Sequence, residues 1–122
     1  MKLAIIGSRS CGNVDLEEYI ETLPDMIISG GARGVDTSAR EFANRHNISI
    51  VEFTPQYHLY GRCAPLVRNR QIVDECDMLY AFWDGSSHGT RYTIRYARKM
   101  NKPVQLFYAT EDERIYFPDE ER

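Results

Sequence analysis

The sequence predicts an α/β fold: a single Rossmann-like three-layer domain around a five-stranded parallel sheet of order 3-2-1-4-5. Three observations lead there. Five short apolar runs alternate with segments of helical periodicity, which is the pattern of parallel strands covered on both faces. Two of those runs pass into glycine-rich turns that open helices, residues 30–36 and 84–90. The chain has 122 residues, one domain's worth and enough to bury a core.

The elements follow in order. Residues 3–7 are a short apolar run ending in glycine, hence a buried strand. Residues 15–23 read as a helix, with Asp15 and Glu18 as a capping-box pair and Pro24 as its stop. Residues 26–29 form the second strand. Val35, Ala39, Phe42, Ala43 and His46 recur at helical spacing, so a helix spans 35–47. Residues 48–53 are the third strand, closed by Pro55, and a loop with Tyr57, His58, Tyr60 and Gly61 follows. A third helix covers 65–76 with Leu66, Ile72, Val73 and Cys76 turned inward. Residues 78–83 are the fourth strand, 89–101 the fourth helix, stopped by Pro103, and 104–108 the fifth strand. The Rossmann-like domain is expected over residues 1–109. Residues 110–122 form an acidic tail or an edge element around Ile115, Tyr116 and Phe117.

Composition narrows the function classes. Apolar content of 43% is ordinary, which excludes a disordered chain. No apolar run approaches the roughly 20 residues of a spanning helix. The start of the chain has no signal-peptide pattern, so a cytoplasmic location without membrane partners is the expectation. Cys11, Cys63 and Cys76 are widely spaced and odd in number, which suits reduced thiols rather than disulfides or zinc. The net charge of −3 argues against nucleic-acid binding by bulk charge. Arg91, Arg95, Arg98 and Lys102 nevertheless share one helical face.

Ligands of doubly wound sheets bind beyond the C-terminal strand ends, where the strand order reverses. The loops after strands 1, 2 and 4 therefore converge. They bring Gly7, Ser8 and Arg9 to one place with Gly30, Gly31, Arg33, Gly34 and Asp36, and with Asp84, Ser86, Ser87, Gly89 and Thr90. Glycine admits close backbone approach, and helix starts present free N–H groups and a positive dipole end, which suits phosphate. Thr90 is an N-cap hydroxyl or a phosphate ligand; both readings stay open. Arg9 is a surface arginine or an anion ligand. Arg68 and Asn69 stand early in helix 3. Asn69 shares a face with Ile72 and Cys76, so it points inward and needs partners, a loop or a base or ribose. Asp84 is the carboxylate best placed to touch ribose hydroxyls or activate water, and so the candidate catalytic residue. His58 and His88 have no metal-ligand spacing, and no cofactor is expected. Neither GxGxxG nor GxxxxGK[ST] is present.

Lys2-Leu3-Ala4-Ile5-Ile6-Gly7-Ser8-Arg9, Ile28-Ser29-Gly30-Gly31-Ala32-Arg33-Gly34-Val35-Asp36, Arg68-Asn69 and Ala81-Phe82-Trp83-Asp84-Gly85 through Gly89-Thr90 resemble the SLOG superfamily, in particular its small YspA-related branch. That superfamily joins the LOG phosphoribohydrolases with the core of DNA-processing protein A. The resemblance implies a Rossmann-like fold that binds nucleotides or their derivatives. The LOG motif PGGxGTxxE is matched at Gly89 and Thr90, but Thr93 stands where its glutamate would. Threonine cannot act as a carboxylate base. Thr93→Glu is expected to recover activity if the remaining pocket matches the hydrolases.

Three functions follow in order. The first is a nucleotide-binding module or sensor without chemistry of its own. The second is a nucleoside monophosphate phosphoribohydrolase-like enzyme using Asp84 or Asp36. The third is a single-stranded nucleic-acid binder using Arg33, Arg68, Arg70, Tyr57 and Tyr60, which needs a basic groove and stacking aromatics. A homo-oligomer is left open.

Overall fold

The computed structural model describes residues 1–108. The expected tail or edge element at 110–122 lies outside the described residues. Five strands form one sheet of order β3-β2-β1-β4-β5, as the sequence predicts. They are β1 (Lys2–Gly7), β2 (Met26–Ser29), β3 (Ser49–Glu52), β4 (Met78–Trp83) and β5 (Val104–Tyr108). Every pairing is parallel, with Leu3 beside both Ile27 and Met78.

Alternation along β1 divides the core. Leu3 and Ile5 face α1 (Val35–Arg45), together with Phe42, Phe82 and Phe107. Ala4 and Ile6 face the opposite way, with Ile72 of α3 (Ala64–Glu75) and Ile94 of α4 (His88–Lys99). Helix α1 lies close on β1. A Cβ on Gly7 would fall 2.3 Å from Val35 Cγ2, so this position takes no side chain.

The two faces are covered unequally. The predicted helix over 15–23 is absent; a 3-10 turn, Leu16–Glu18, stands there instead. Asp15 accepts the Glu17 N–H rather than forming a full capping box. Glu17, Glu18 and Glu21 would repel one another at i, i+3 and i+4 spacing, and Pro24 leaves little room to lengthen the helix. Leu16 and Ile20 still reach the core, and Tyr19 packs edge-on against Phe82 and Phe107.

The expected loop after β3 contains one helical turn, α2 (Tyr57–Tyr60), and a 3-10 turn, Gly61–Cys63. Leu66, expected inside, is exposed, because Ala64, Ile72 and Val73 carry the inner face of α3. Among the described residues no helix is long and apolar enough to cross a membrane.

Candidate functional site

The loops after β1, β2 and β4 meet at one end of the sheet, where the strand order reverses between β1 and β4. They enclose a crevice of about 210 Å³. Gly7, Ser8 and Arg9 form its β1 wall, and Gly30 and Asp36 its β2–α1 wall. Arg68 and Asn69 enter from α3, and Ser87, Gly89 and Thr90 from the start of α4.

Side-chain hydroxyls tie the β1 loop to α4. Ser8 Oγ lies 3.2 Å from Thr90 Oγ1 and accepts the Asp84 N–H at 3.3 Å. Ser87 Oγ donates to Thr90 Oγ1 at 3.2 Å. Ser87, not Thr90, is the N-cap of α4; its Oγ accepts the Thr90 N–H at 3.4 Å. Thr90 is therefore a buried side chain within the first turn, its hydroxyl facing Ser8. The N–H groups of His88 and Gly89 have no acceptor among the described residues. They leave the positive end of a twelve-residue helix at the crevice wall.

Arg68 is locked in place. Its Nη1 donates to the carbonyls of Gly30 at 3.1 Å and Phe53 at 3.3 Å, and its Nε donates to Asn69 Oδ1 at 2.8 Å. Asn69 thus has its oxygen engaged within α3, while its amide NH2 has no partner among the described residues. Burial pushes the Arg68 pKa down, and the neighbouring Asp36 charge opposes that. Burial likewise pushes the Asp36 carboxyl up, against the Ala32 N–H, the Ser29 hydroxyl and the Arg68 charge. Gly30 is tight against this pair: a Cβ there would lie 2.6 Å from Arg68 Nη1 and 3.1 Å from Asp36 Oδ2.

Five of the expected site residues do not line the crevice. Gly34 has φ +75, and its Cβ direction faces the Gly12 carbonyl at 3.2 Å. Its task is the backbone turn into α1, not an opening for phosphate. Gly31 faces Glu52 across the turn. Arg33 is exposed and, with Arg9 and Ala32, lines a second recess of about 520 Å³ beyond the crevice. Neither Arg9 nor Arg33 has a side-chain partner among the described residues.

Asp84 and Ser86 belong to the turn after β4. Asp84 Oδ1 accepts the N–H groups of Ser86 at 2.9 Å and Ser87 at 2.8 Å, and Oδ2 accepts the Ser10 hydroxyl. Partial burial pushes the Asp84 pKa up, but these donors outweigh it and bring it to about 2. So weak a base, already saturated with donors, holds the turn rather than activating water.

Position 93 is closed as well. Thr93 is buried, and its Oγ1 donates to the Gly89 carbonyl at 2.8 Å. Sequence reasoning missed the apolar side of the crevice, Ile6, Pro65 and Ile72. A proline in the first turn of α3 and Ile72 one turn beyond Asn69 were the available signals.

Fold and site together define a Rossmann-like α/β protein with a polar crevice at its topological switch point. No family model matches the chain. It is 34% identical over 88 residues to the Gene 61 protein of Mycobacterium phage D29, a match covering 67% of this chain and 70% of the phage protein. The chain belongs to the family of that phage protein.

Proposed function

We propose that the crevice binds a nucleotide or nucleotide-derived ligand, and that the chain is a binding or sensing module of the SLOG superfamily. One observation carries this reading. The free N–H groups at the start of α4, the Ser87 and Thr90 hydroxyls and the Arg9 and Arg68 guanidinia all border one crevice at the switch point. Phosphate is the group those donors suit. The unpartnered Asn69 amide offers donors for a sugar or base.

The test is a thermal-unfolding panel of nucleoside monophosphates, ADP-ribose and NAD. A binder at saturating concentration raises the midpoint by several degrees. Arg9→Ala should abolish the rise while leaving the unliganded midpoint unchanged, since Arg9 is exposed and unpaired. A panel with no stabilising ligand counts against the reading.

A second reading rests on Asp36, the carboxylate that lines the crevice with a raised pKa, a property of general acids and bases. It predicts base release from a nucleoside monophosphate that disappears in Asp36→Asn. Thr93 opposes it, because the side chain at that position is turned into its own helix. Binding without base release is the expected outcome.

A further inference from the structure

The crevice alone does not enclose a nucleotide. It measures about 210 Å³, against roughly 300–1,000 Å³ for pockets that bury a whole small-molecule ligand. A nucleotide held there continues past the rim. Arg9 stands where the rim opens. It lines the crevice, and with Ala32 and Arg33 it also lines the recess beyond. The two cavities therefore meet at one guanidinium side chain.

The recess presents two cations and no counter-charge. Arg9 and Arg33 are exposed, and neither has an ion-pair or hydrogen-bond partner among the described residues. Carboxylates on the surrounding turns are engaged elsewhere. Asp36 accepts the Ala32 N–H at 3.0 Å, Asp84 accepts the Ser10 hydroxyl, and Glu52 pairs with Arg40 at 2.9 Å. Arg33 also directly precedes Gly34, the N-cap of α1, and the positive end of a helix disfavours a cation. Two like charges on one recess repel each other as well. An anion between the two arginines relieves both costs.

Given the nucleotide reading of the crevice, on which this rests, we propose that the recess takes a second phosphate, next to the one held at the start of α4. The ligand class is then a nucleoside diphosphate or a diphosphate-linked nucleotide rather than a nucleoside monophosphate. Arg9 is the shared contact, because a guanidinium fork holds oxygens of two neighbouring phosphates at once. Arg33 lines only the recess and so meets only the second phosphate. Arg9 thus serves any nucleotide, and Arg33 selects the diphosphate.

Isothermal titration of the full chain tests this with the mono- and diphosphates of adenosine, guanosine, cytidine and uridine. For the base that binds best, the diphosphate should bind about tenfold more tightly than the monophosphate, as one added charge-assisted contact implies. Arg33→Gln should remove that preference and leave monophosphate affinity as it was. The variant should keep the wild-type unfolding midpoint, because the side chain is exposed and unpaired. Arg33→Lys should keep part of the preference. Lys99→Gln removes the same charge from the other end of α4 and should change neither affinity. Equal affinity of the wild type for mono- and diphosphate overturns the second-phosphate site and leaves the nucleotide reading standing. So does equal weakening by Arg33→Gln and Lys99→Gln, which is bulk charge alone. A short single-stranded oligonucleotide that binds more tightly than every nucleoside diphosphate overturns it too, since the two arginines would then follow a nucleic-acid backbone. Binding of no nucleotide at all brings down the nucleotide reading itself, and this site with it.

Discussion

Arg68 draws its rigidity from three hydrogen bonds, two of them to main-chain carbonyls of different loops. A lysine at this position keeps the charge but not the fork, so Arg68→Lys should cost ligand affinity about as much as Arg68→Ala. Gly30 is the neighbouring constraint. Gly30→Ala pushes a methyl into Arg68 and Asp36, and should cost about 1–3 kcal/mol and lower ligand affinity together. Gly34→Val should also lose about 1–3 kcal/mol, but from backbone strain at φ +75. Chemical denaturation alongside ligand titration separates the two.

Asp84 gives a pH dependence of definite sign. Its folded pKa of about 2 lies below the ordinary aspartate value of about 4. The stability it supplies is present above that ordinary value and is lost as pH falls toward 2. Asp84→Asn should flatten this part of the acid-unfolding profile, measured by circular dichroism.

Among the elements, α3 gives the crevice four residues, and α4, with its N-cap Ser87, gives three and was the most legible. Gly89 and Thr90 sit at its start, and the strand before it ends at Trp83 as the apolar run suggests. The N-cap assignment shifted to Ser87 because a serine three residues before Thr90 can accept its N–H, a competition that sequence does not rank. Position 93 shows what only packing decides. A glutamate there would replace a buried hydroxyl that is satisfied within its own helix. Thr93→Glu should therefore destabilise the fold by several kcal/mol rather than recover hydrolysis, a loss measured by urea denaturation. The segment between β1 and β2 was the least legible. Its two buried aliphatic side chains, Leu16 and Ile20, are four residues apart and imitate a helix. The repulsion among its glutamates and its short span leave only the 3-10 turn Leu16–Glu18 where the helix was expected.

Across the whole molecule, two full helices cover one face of the sheet, and one helix plus this irregular segment cover the other. The segment begins at the crevice with Arg9, is tied by Ser10 to Asp84, and is held largely by Leu16, Tyr19 and Ile20. Hydrogen exchange should show residues 9–25 opening before the β strands, and a bound anion at Arg9 should slow that opening. Sheet order and the meeting of the three loops were readable because parallel strands and right-handed crossovers leave few alternatives. Which members of those loops face inward was not. That depends on tight main-chain contacts, such as Gly30 against Arg68 and Gly34 against Gly12. One feature of the sheet reaches back to biosynthesis. β1 emerges first from the ribosome, yet its partner β4 begins at Met78, with Leu3 and Met78 side by side. The crevice straddles that seam, and Thr90 lies further still along the chain. A nascent chain therefore cannot assemble this crevice until it has been made at least as far as Thr90.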